Sequence, residues 1–384
     1  MSGSLLLTND FPPIISGIST YFYQLWRWMP AGSANILAPA TSGDREVDRS
    51  LECRVIRKRL PLGESCFAKL LKMVCVAFWA LILVPRLNIN TLLCGQVLST
   101  GLAGWLSHRL FATRYIVFVC GSESIRFGRI PLLSKAIQKI LQHADNIIAN
   151  SESTKQEYVR SGIAPGRITV ITPGVDTRFF RPISGSNDFR ERYHLRSKPV
   201  LLTVSRLDER KGHDMVLHAL ALLAGDYPAL TYLIAGAGRE EPRLKAMAAQ
   251  LGVTDRVIFS GRVDNDQLPA LYNAADIFIL PNRETKNDAH LRGDIEGFGI
   301  VFLEAAACGK PVIAGNHGGA AEAVEHGRTG LLVDPEAPEM IRTAIVQLLE
   351  NSALAQTMGQ NGRNRCIESF RWEALAEQLK AAMG

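Results

Sequence analysis

Most of the charged and glycine-flanked motifs that could hold or activate a substrate lie in the second half of the chain. Ser205-Arg206-Leu207-Asp208-Glu209-Arg210-Lys211-Gly212 follows the apolar run Leu201 to Val204 and precedes a helix-period segment. Arg206 and Lys211 stand five positions apart at the carboxyl end of an expected strand. Two cations so placed could clamp a diphosphate and stabilise the charge that builds on it as a leaving group; taken singly, either could be a solvated loop cation. Further on, Asp294-Ile295-Glu296-Gly297-Phe298-Gly299-Ile300-Val301-Phe302-Leu303-Glu304 sets two carboxylates eight positions apart around a Gly-flanked loop and an apolar helix start. Glu296, with the loop backbone through Gly297, Phe298, Gly299 and Ile300, can hydrogen-bond sugar hydroxyls, while Glu304 suits a ribose diol. Near the start, Ser16-Gly17 separates a first strand from a helix opening at Ile18. Glycine there lets backbone N–H groups approach a phosphate at the positive end of a helix, although taken alone Gly17 reads more simply as a tight turn.

Other patterns point away from metal and cofactor chemistry. Asp264-Asn265-Asp266 has the spacing of an Asp-x-Asp metal motif, but it precedes Leu268, Leu271 and Tyr272 at helical spacing, so Asp266 reads as a helix N-cap. Gly236-x-Gly238 lacks the third glycine of a dinucleotide fingerprint and does not follow the first strand. The seven cysteines, at 53, 66, 75, 94, 120, 308 and 366, form no CxxC and no paired spacing. Neither a zinc site nor a disulfide framework is expected, and a reducing cytoplasm fits. No cofactor and no metal are expected.

These motifs sit between strand-like and helix-like segments that alternate along the chain. Strand-length apolar runs at Leu5 to Thr8, Ile36 to Ala40, Thr91 to Cys94, Tyr115 to Val119, Asn146 to Ala149 and Thr169 to Ile171 are separated by helix-period segments. A second series runs through Val200 to Val204, Leu230 to Ala235, Val257 to Phe259, Ile277 to Leu280, Pro311 to Ala314 and Gly330 to Val333. Several runs are apolar at consecutive positions, as strands covered on both faces require, so the fold class is α/β with parallel sheets. A length of 384 residues suits two domains. The polar stretch Arg181 to Lys198 marks the boundary, giving domains at 1–182 and 183–369, with a terminal helix over 370–384 packing back on the first.

At 47% hydrophobic and 21% charged the chain is globular, and its formal charge of +6 is modest, so no nucleic-acid partner is expected. Leu5-Leu6-Leu7 follows no basic region and no cleavage site, which argues against a signal peptide. Arg54, Arg57, Lys58 and Arg59 crowd together ahead of Lys69, Lys72 and an apolar run, Met73 to Val84, that ends at Pro85. Twelve residues fall short of the roughly 20 a spanning helix needs. The segment 54–84 reads either as a buried helix beside a solvated basic strand or as a face for anionic headgroups, which would make the protein cytoplasmic and peripheral on the inner membrane face.

Taken together, Arg206 and Lys211, the Glu296 to Glu304 motif, Pro173-Gly174-Val175-Asp176, Asn316 to Gly319 and Gly327-Thr329-Gly330-Leu331-Leu332-Val333 resemble the large retaining GT-B glycosyltransferase family, over nearly the whole chain. The opening Thr8-Asn9-Asp10-Phe11-Pro12-Pro13 and Leu291-Arg292-Gly293-Asp294 resemble its bacterial phosphatidylinositol mannoside and lipopolysaccharide branch, which often uses GDP-mannose. The resemblance implies two Rossmann-like doubly wound domains facing across a cleft. It also implies a nucleotide-sugar donor and a lipid, lipid-linked or polysaccharide acceptor. On it, Gly17, Arg206 and Lys211 hold the diphosphate, Arg262 and Val263 meet the base, Glu296 and the backbone through Ile300 hold the sugar, and Glu304 holds the ribose. The family commonly has Gly-Gly where this chain has Ser16-Gly17. It usually has His-Gly-x-Glu where this chain has Cys120-Gly121-Ser122-Glu123. Cys120 thus stands where the residue touching the donor sugar is expected, which raises three alternatives: a 6-deoxyhexose or pentose donor, a hexose donor bonded instead by Ser122 or a water, and a non-catalytic nucleotide-sugar-binding partner protein.

Overall fold

The computed structural model describes residues 3–32, 34–61, 65–121, 130–184, 188–195, 199–285 and 296–384. Ser122, Glu123 and the stretch Leu291 to Ile295 lie outside the described residues. The chain forms two compact units: Met1–Pro173 with Trp372–Gly384, and Gly174–Arg371.

The first unit runs β1 (Gly3–Leu7), α1 (Gly17–Arg27), β2 (Ala34–Pro39), α2 (Asp44–Arg49), β3 (Arg54–Lys58), α3 (Cys66–Arg86), β4 (Ile89–Cys94), α4 (Ser99–Phe111), β5 (Arg114–Val119), α5 (Pro131–His143), β6 (Asn146–Ala149), α6 (Glu152–Arg160) and β7 (Ile168–Val170). Its seven strands are parallel in the order β3-β2-β1-β4-β5-β6-β7. Chain order reverses between β1 and β4, so the crevice of a doubly wound sheet opens at their carboxyl ends. Helices cover both faces, and Leu5, Leu6 and Leu7 are accordingly all fully buried. Ser16 starts α1 where the sequence stops being strand-like: its extended backbone lets the hydroxyl accept the Ser19 N–H at 3.0 Å.

Two details here depart from the sequence reading. β3 is an edge strand carrying charges, and its Arg57 is not solvated. The guanidinium forks onto Asp48 at 2.7 Å, donates to the carbonyls of Pro39 at 2.9 Å and Pro12 at 2.7 Å, and lies 5.4 Å from the Phe11 ring centroid. It therefore ties the opening loop to the sheet edge. Likewise, α3 is not a 12-residue run closed by Pro85. It spans 21 residues with Pro85 inside its last turn, and Phe67–Arg86 is long and apolar enough, by length and composition, to cross a membrane. Only Pro85 and Arg86 lie beyond the apolar run; most of the added length is at the start, where Ser65 caps the helix by accepting the Ala68 N–H and Lys69 and Lys72 fall within it. One side of α3, with Val76, Ala77, Ala80, Leu83 and Val84, is buried in the unit's core beside α4. The other presents Phe67, Leu70, Leu71, Val74 and Phe78 to the outside.

The second unit runs α7 (Asp188–Arg192), β8 (Val200–Val204), α8 (His213–Leu222), β9 (Thr231–Ala235), α9 (Glu241–Gln250), β10 (Val257–Gly261), α10 (Leu268–Ala274), β11 (Ile277–Leu280), α11 (Ile300–Ala307), β12 (Val312–Gly315), α12 (Ala320–Ala323), β13 (Gly330–Val333), α13 (Pro338–Glu350) and α14 (Ser352–Ser369). Its six strands are parallel in the order β10-β9-β8-β11-β12-β13, with the reversal between β8 and β11. The chain then closes with α15 (Trp372–Met383), which belongs to the first unit and packs on α1, the Tyr21 and Trp372 rings 6.1 Å apart. Asp266 does not cap a helix. It sits inside a short 3-10 turn, Asn265–Gln267, from which α10 continues, so the turn's own backbone bonds start the helix in place of a side chain.

Candidate active site

The second unit's reversal point, between β8 and β11, gathers most of the residues singled out above. β8 delivers the chain into Ser205 to Gly212, and a 3-10 turn over Glu209–Lys211 swings two cations inward. Gly212 has φ +70°, and a Cβ there would stand 2.1 Å from the Pro281 carbonyl oxygen after β11, so only glycine lets the loop lie this close. The Arg283 N–H donates to the Arg210 carbonyl at 2.8 Å and binds the loop to β11's end from the other side.

Those two inward cations are Lys211 and Arg210, and both grip Glu296. The Lys211 ammonium and the Arg210 guanidinium donate to the same oxygen, Oε2, the latter at 2.7 Å. All three side chains are nearly buried. Burial acts to raise the Glu296 pKa, but Lys211 and Arg210 outweigh it and hold the carboxyl down at about 2. Burial lowers Lys211 while Glu296 raises it; we take Lys211 as charged, since a carboxylate this strongly ionised is in direct contact with it. Two cations on one carboxylate leave a local excess of one positive charge, suited to an anion. Arg206, the cation expected to share the clamp, instead points outward, 69% exposed, and pairs with Asp208 at 3.2 Å.

Behind the loop, a polar network fixes its two ends, and the sequence reading missed it. His213 is buried, its Nε2 3.0 Å from the Ser205 hydroxyl and its Nδ1 3.0 Å from the Tyr232 hydroxyl. Burial pushes its pKa down to about 4, so the ring is neutral and can donate through one nitrogen while accepting through the other. Asp214, also buried, takes Arg283 at 2.8 Å. Gly236 and Gly238, the dinucleotide-like pair, serve the same loop: a Cβ on Gly236 would stand 1.8 Å from the Ser205 carbonyl oxygen, and one on Gly238 2.3 Å from that of Leu207. The adjacency of Arg210 to Lys211, and of His213 to the loop's end, was the available signal, but adjacency alone does not say which side chain turns inward.

On the other side, Glu296 to Gly299 leads into α11. Gly299 has φ +87°, a conformation that turns the chain from loop to helix, and the Gly319 N–H donates to the Glu296 carbonyl at 3.0 Å. Phe298 is buried under the loop, and Ile300 opens α11. Glu304 lies one turn further in. There the Tyr272 hydroxyl donates to its Oε2 at 2.6 Å, and burial, opposed by that bond, raises its pKa to about 7. Arg262 and Val263 follow β10, Val263 packing on the core and Arg262 exposed. Among the described residues, no three His, Cys, Asp or Glu converge as metal ligands.

Gly17 and Cys120 belong to the first unit. Nothing lies within 4 Å of where a Cβ on Gly17 would stand, so the start of α1 is open. Cys120 follows β5, half-buried against the core that holds Tyr21.

Comparison with known proteins accords with this geometry. The family described as Glycosyl transferases group 1 matches residues 186–365, and the Glycosyl transferase 4-like domain matches residues 16–174. The chain is 34% identical to the GDP-mannose-dependent alpha-(1-6)-phosphatidylinositol monomannoside mannosyltransferase of Mycolicibacterium smegmatis, over 98% of this chain and 96% of that one. It is 29% identical to the GDP-mannose-dependent monoacylated alpha-(1-6)-phosphatidylinositol monomannoside mannosyltransferase of Corynebacterium glutamicum, with the same shares covered. Among solved structures, sucrose-phosphate synthase of Thermosynechococcus elongatus superposes with a TM-score of 0.81 at 25% identity, covering 100% of this chain and 98% of that one. HepE of Anabaena, in complex with UDP and glucose, shares the fold with a TM-score of 0.81 at 20% identity, covering 100% and 99%. Two parallel doubly wound units, a cation-bound glutamate at the second reversal point and relatives matched from end to end make this chain a member of the GT-B glycosyltransferase family.

Proposed function

We propose that this enzyme transfers mannose from GDP-mannose to a phosphatidylinositol mannoside or similar lipid-linked acceptor, with retention of configuration and without a metal ion. The observation that carries the reading is the Lys211-Glu296-Arg210 cluster at the β8/β11 reversal, in a chain 34% identical end to end to a transferase named for that donor. In this reading the second unit holds the donor and the first takes the acceptor. Lys211, with Arg206 swinging in from its exposed position and Gly17 from the first unit, holds the diphosphate and stabilises its growing charge. Glu296 and the backbone from Gly297 to Ile300 hold the sugar, Arg262 and Val263 meet the base, and Glu304 takes the ribose diol. Cys120 bears on the choice of donor sugar.

The first unit supports a peripheral seat on the inner face of the cell membrane. α3 shows an outward apolar face, Phe67, Leu70, Leu71, Val74 and Phe78, with Lys69 and Lys72 on the same helix. An apolar face with flanking lysines suits partial burial among anionic headgroups. The test of the activity is incubation of the purified protein with GDP-mannose and phosphatidylinositol monomannoside in the presence of EDTA, with the product linkage read by NMR. An α-linked mannosyl product supports the reading. Loss of activity restored by Mg²⁺ or Mn²⁺ removes the metal-free clause, and a β-linked product removes retention.

A further inference from the structure

Among the described residues, Glu304 takes a hydrogen bond from one side chain, Tyr272, whose hydroxyl makes no other. Tyr272 on α10 is fully buried, its ring held edge-on by Phe180 at 5.8 Å and tilted against Phe278 at 5.7 Å. Three packed rings leave the hydroxyl one direction to point, and it reaches Glu304 Oε2 on α11 at 2.6 Å. That is the length of a charge-assisted bond between a hydroxyl and an ionised carboxylate. Glu304 itself is half-buried, and its second oxygen takes no hydrogen bond from a described residue. The carboxylate is thus fixed at one oxygen and open at the other.

We propose that Tyr272 is a positioning residue for the donor's nucleoside: by occupying Oε2 it fixes the Glu304 carboxyl group and aims the second oxygen at the ribose diol. The inference rests on the reading of Glu304 given above. Burial favours the protonated acid, which offers a diol one acceptor fewer, and the tyrosine bond is the interaction that opposes it. The other ionisable groups near the pair are Cys308 at the end of α11, neutral because burial pushes its thiol up to about 12, and Lys310 and Arg363, which act on that thiol. None of these replaces the tyrosine's bond to Glu304.

The test titrates GDP and 2′,3′-dideoxy-GDP into the full chain by calorimetry from pH 6 to 9, for the natural protein, Tyr272→Phe, Glu304→Gln and the double variant. The natural protein is expected to prefer GDP by about tenfold at pH 8, the order of one well-made bond to a charged group. Its GDP affinity should fall as pH drops through about 7, where Glu304 takes up a proton. Tyr272→Phe should bring the preference down to about threefold or less, leave the dideoxy nucleotide within about twofold, and move the fall to higher pH; in the Glu304→Gln background it should add nothing. The phenylalanine keeps the packed ring, and a thermal melt checks that it folds. Equal weakening of both nucleotides, or an unchanged preference, means that Tyr272 only packs and overturns the proposal. A natural protein that binds both nucleotides equally overturns the ribose reading and the proposal with it. One that binds neither nucleotide overturns the GDP-mannose reading of the donor, and the proposal with it.

Discussion

The two units repeat one topology and arm it differently. In both, chain order reverses beside the first strand, β1/β4 in one and β8/β11 in the other, and polar residues collect at the strand ends. At the first unit's reversal these are Thr8, Asn9, Asp10, Gln96 and Ser99, neutral apart from Asp10. Asn9 donates to the Ser99 hydroxyl at 2.6 Å, and Gln96 to Asp10 at 3.3 Å. Burial raises the Asp10 pKa, with Lys72 and Gln96 acting against it. The second unit's reversal instead stacks Arg210 and Lys211 on Glu296 and drives that carboxyl down. Topology opens a crevice in each; the charge of the loop after the first strand decides what can sit there. On the proposed reading, the second end meets an anion and the first, with fewer charges, suits hydroxyl groups.

The hardest test of that contrast removes the cations. Lys211→Ala should lower kcat by roughly 10²-fold, the usual loss for one preorganised charge stabiliser, with a smaller change in donor KM. Arg210→Ala should follow in the same direction, because it leaves Glu296 to neutralise Lys211 alone. Steady-state kinetics on both variants decides the matter. Unchanged turnover in the two would take the cluster out of the reaction.

A second prediction sharpens the first unit's role. Replacing the outward residues Phe67 and Leu70 of α3 by aspartate should reduce co-sedimentation with anionic vesicles by about tenfold and leave GDP affinity alone, since headgroup attraction and apolar insertion are both weakened. Binding of the natural protein should fall with added salt. No binding to anionic vesicles, or equal binding to neutral ones, returns this helix face to ordinary surface.

Much of this was legible in the residues, and what was not has physical causes. Consecutive apolar runs such as Leu201 to Val204 mark doubly covered strands, and all six of the second unit's runs are strands, the edge strand β10 with its residues only partly buried. β3 was read only as one alternative, a solvated basic strand, because its charges break the apolar pattern that an edge strand does not need, and α3 was underread chiefly at its start, where Lys69 and Lys72 interrupt the apolar run. The Glu296 to Glu304 motif carried its carboxylates openly. Which cation would face Glu296 could not be read: Arg206, Arg210 and Lys211 look alike in sequence, and the 3-10 turn that sends two inward and one out is set by Gly212 against Pro281. Tyr272 looked like one more core aromatic until its hydroxyl had an address.

A smaller effect tests the sugar end. A thiol is a weak donor and acceptor, so Cys120→His should shift catalytic efficiency toward sugars bearing a 6-hydroxyl, by about 1 kcal/mol or a few-fold, when GDP-mannose is compared with its 6-deoxy counterpart. An unshifted ratio means that Cys120 does not select the sugar.

The smallest expected change concerns stability and separates the two glutamates. Glu304 has a folded pKa of about 7, above its ordinary value of 4.5, so its contribution to stability is present at low pH and is lost as pH rises from 4.5 through 7. Glu304→Gln should therefore raise the melting temperature by a few degrees at pH 8 and change it little at pH 5. Glu296 carries the opposite shift, its contribution present above pH 4.5 and lost as pH falls toward 2, so Glu296→Gln should lower the melting temperature at pH 8.

The claim on which the account turns is that the second unit's cations hold a nucleotide diphosphate, and calorimetric titration of the natural protein and Lys211→Ala with GDP, GMP and guanosine, all in EDTA, addresses it most directly. The account predicts that GDP binds at least about tenfold tighter than GMP or guanosine and that the alanine variant loses most of that difference, as loss of a charge-assisted contact to the second phosphate requires. Equal affinity for the three ligands in the natural protein, or a preference for GDP that survives Lys211→Ala intact, would contradict it.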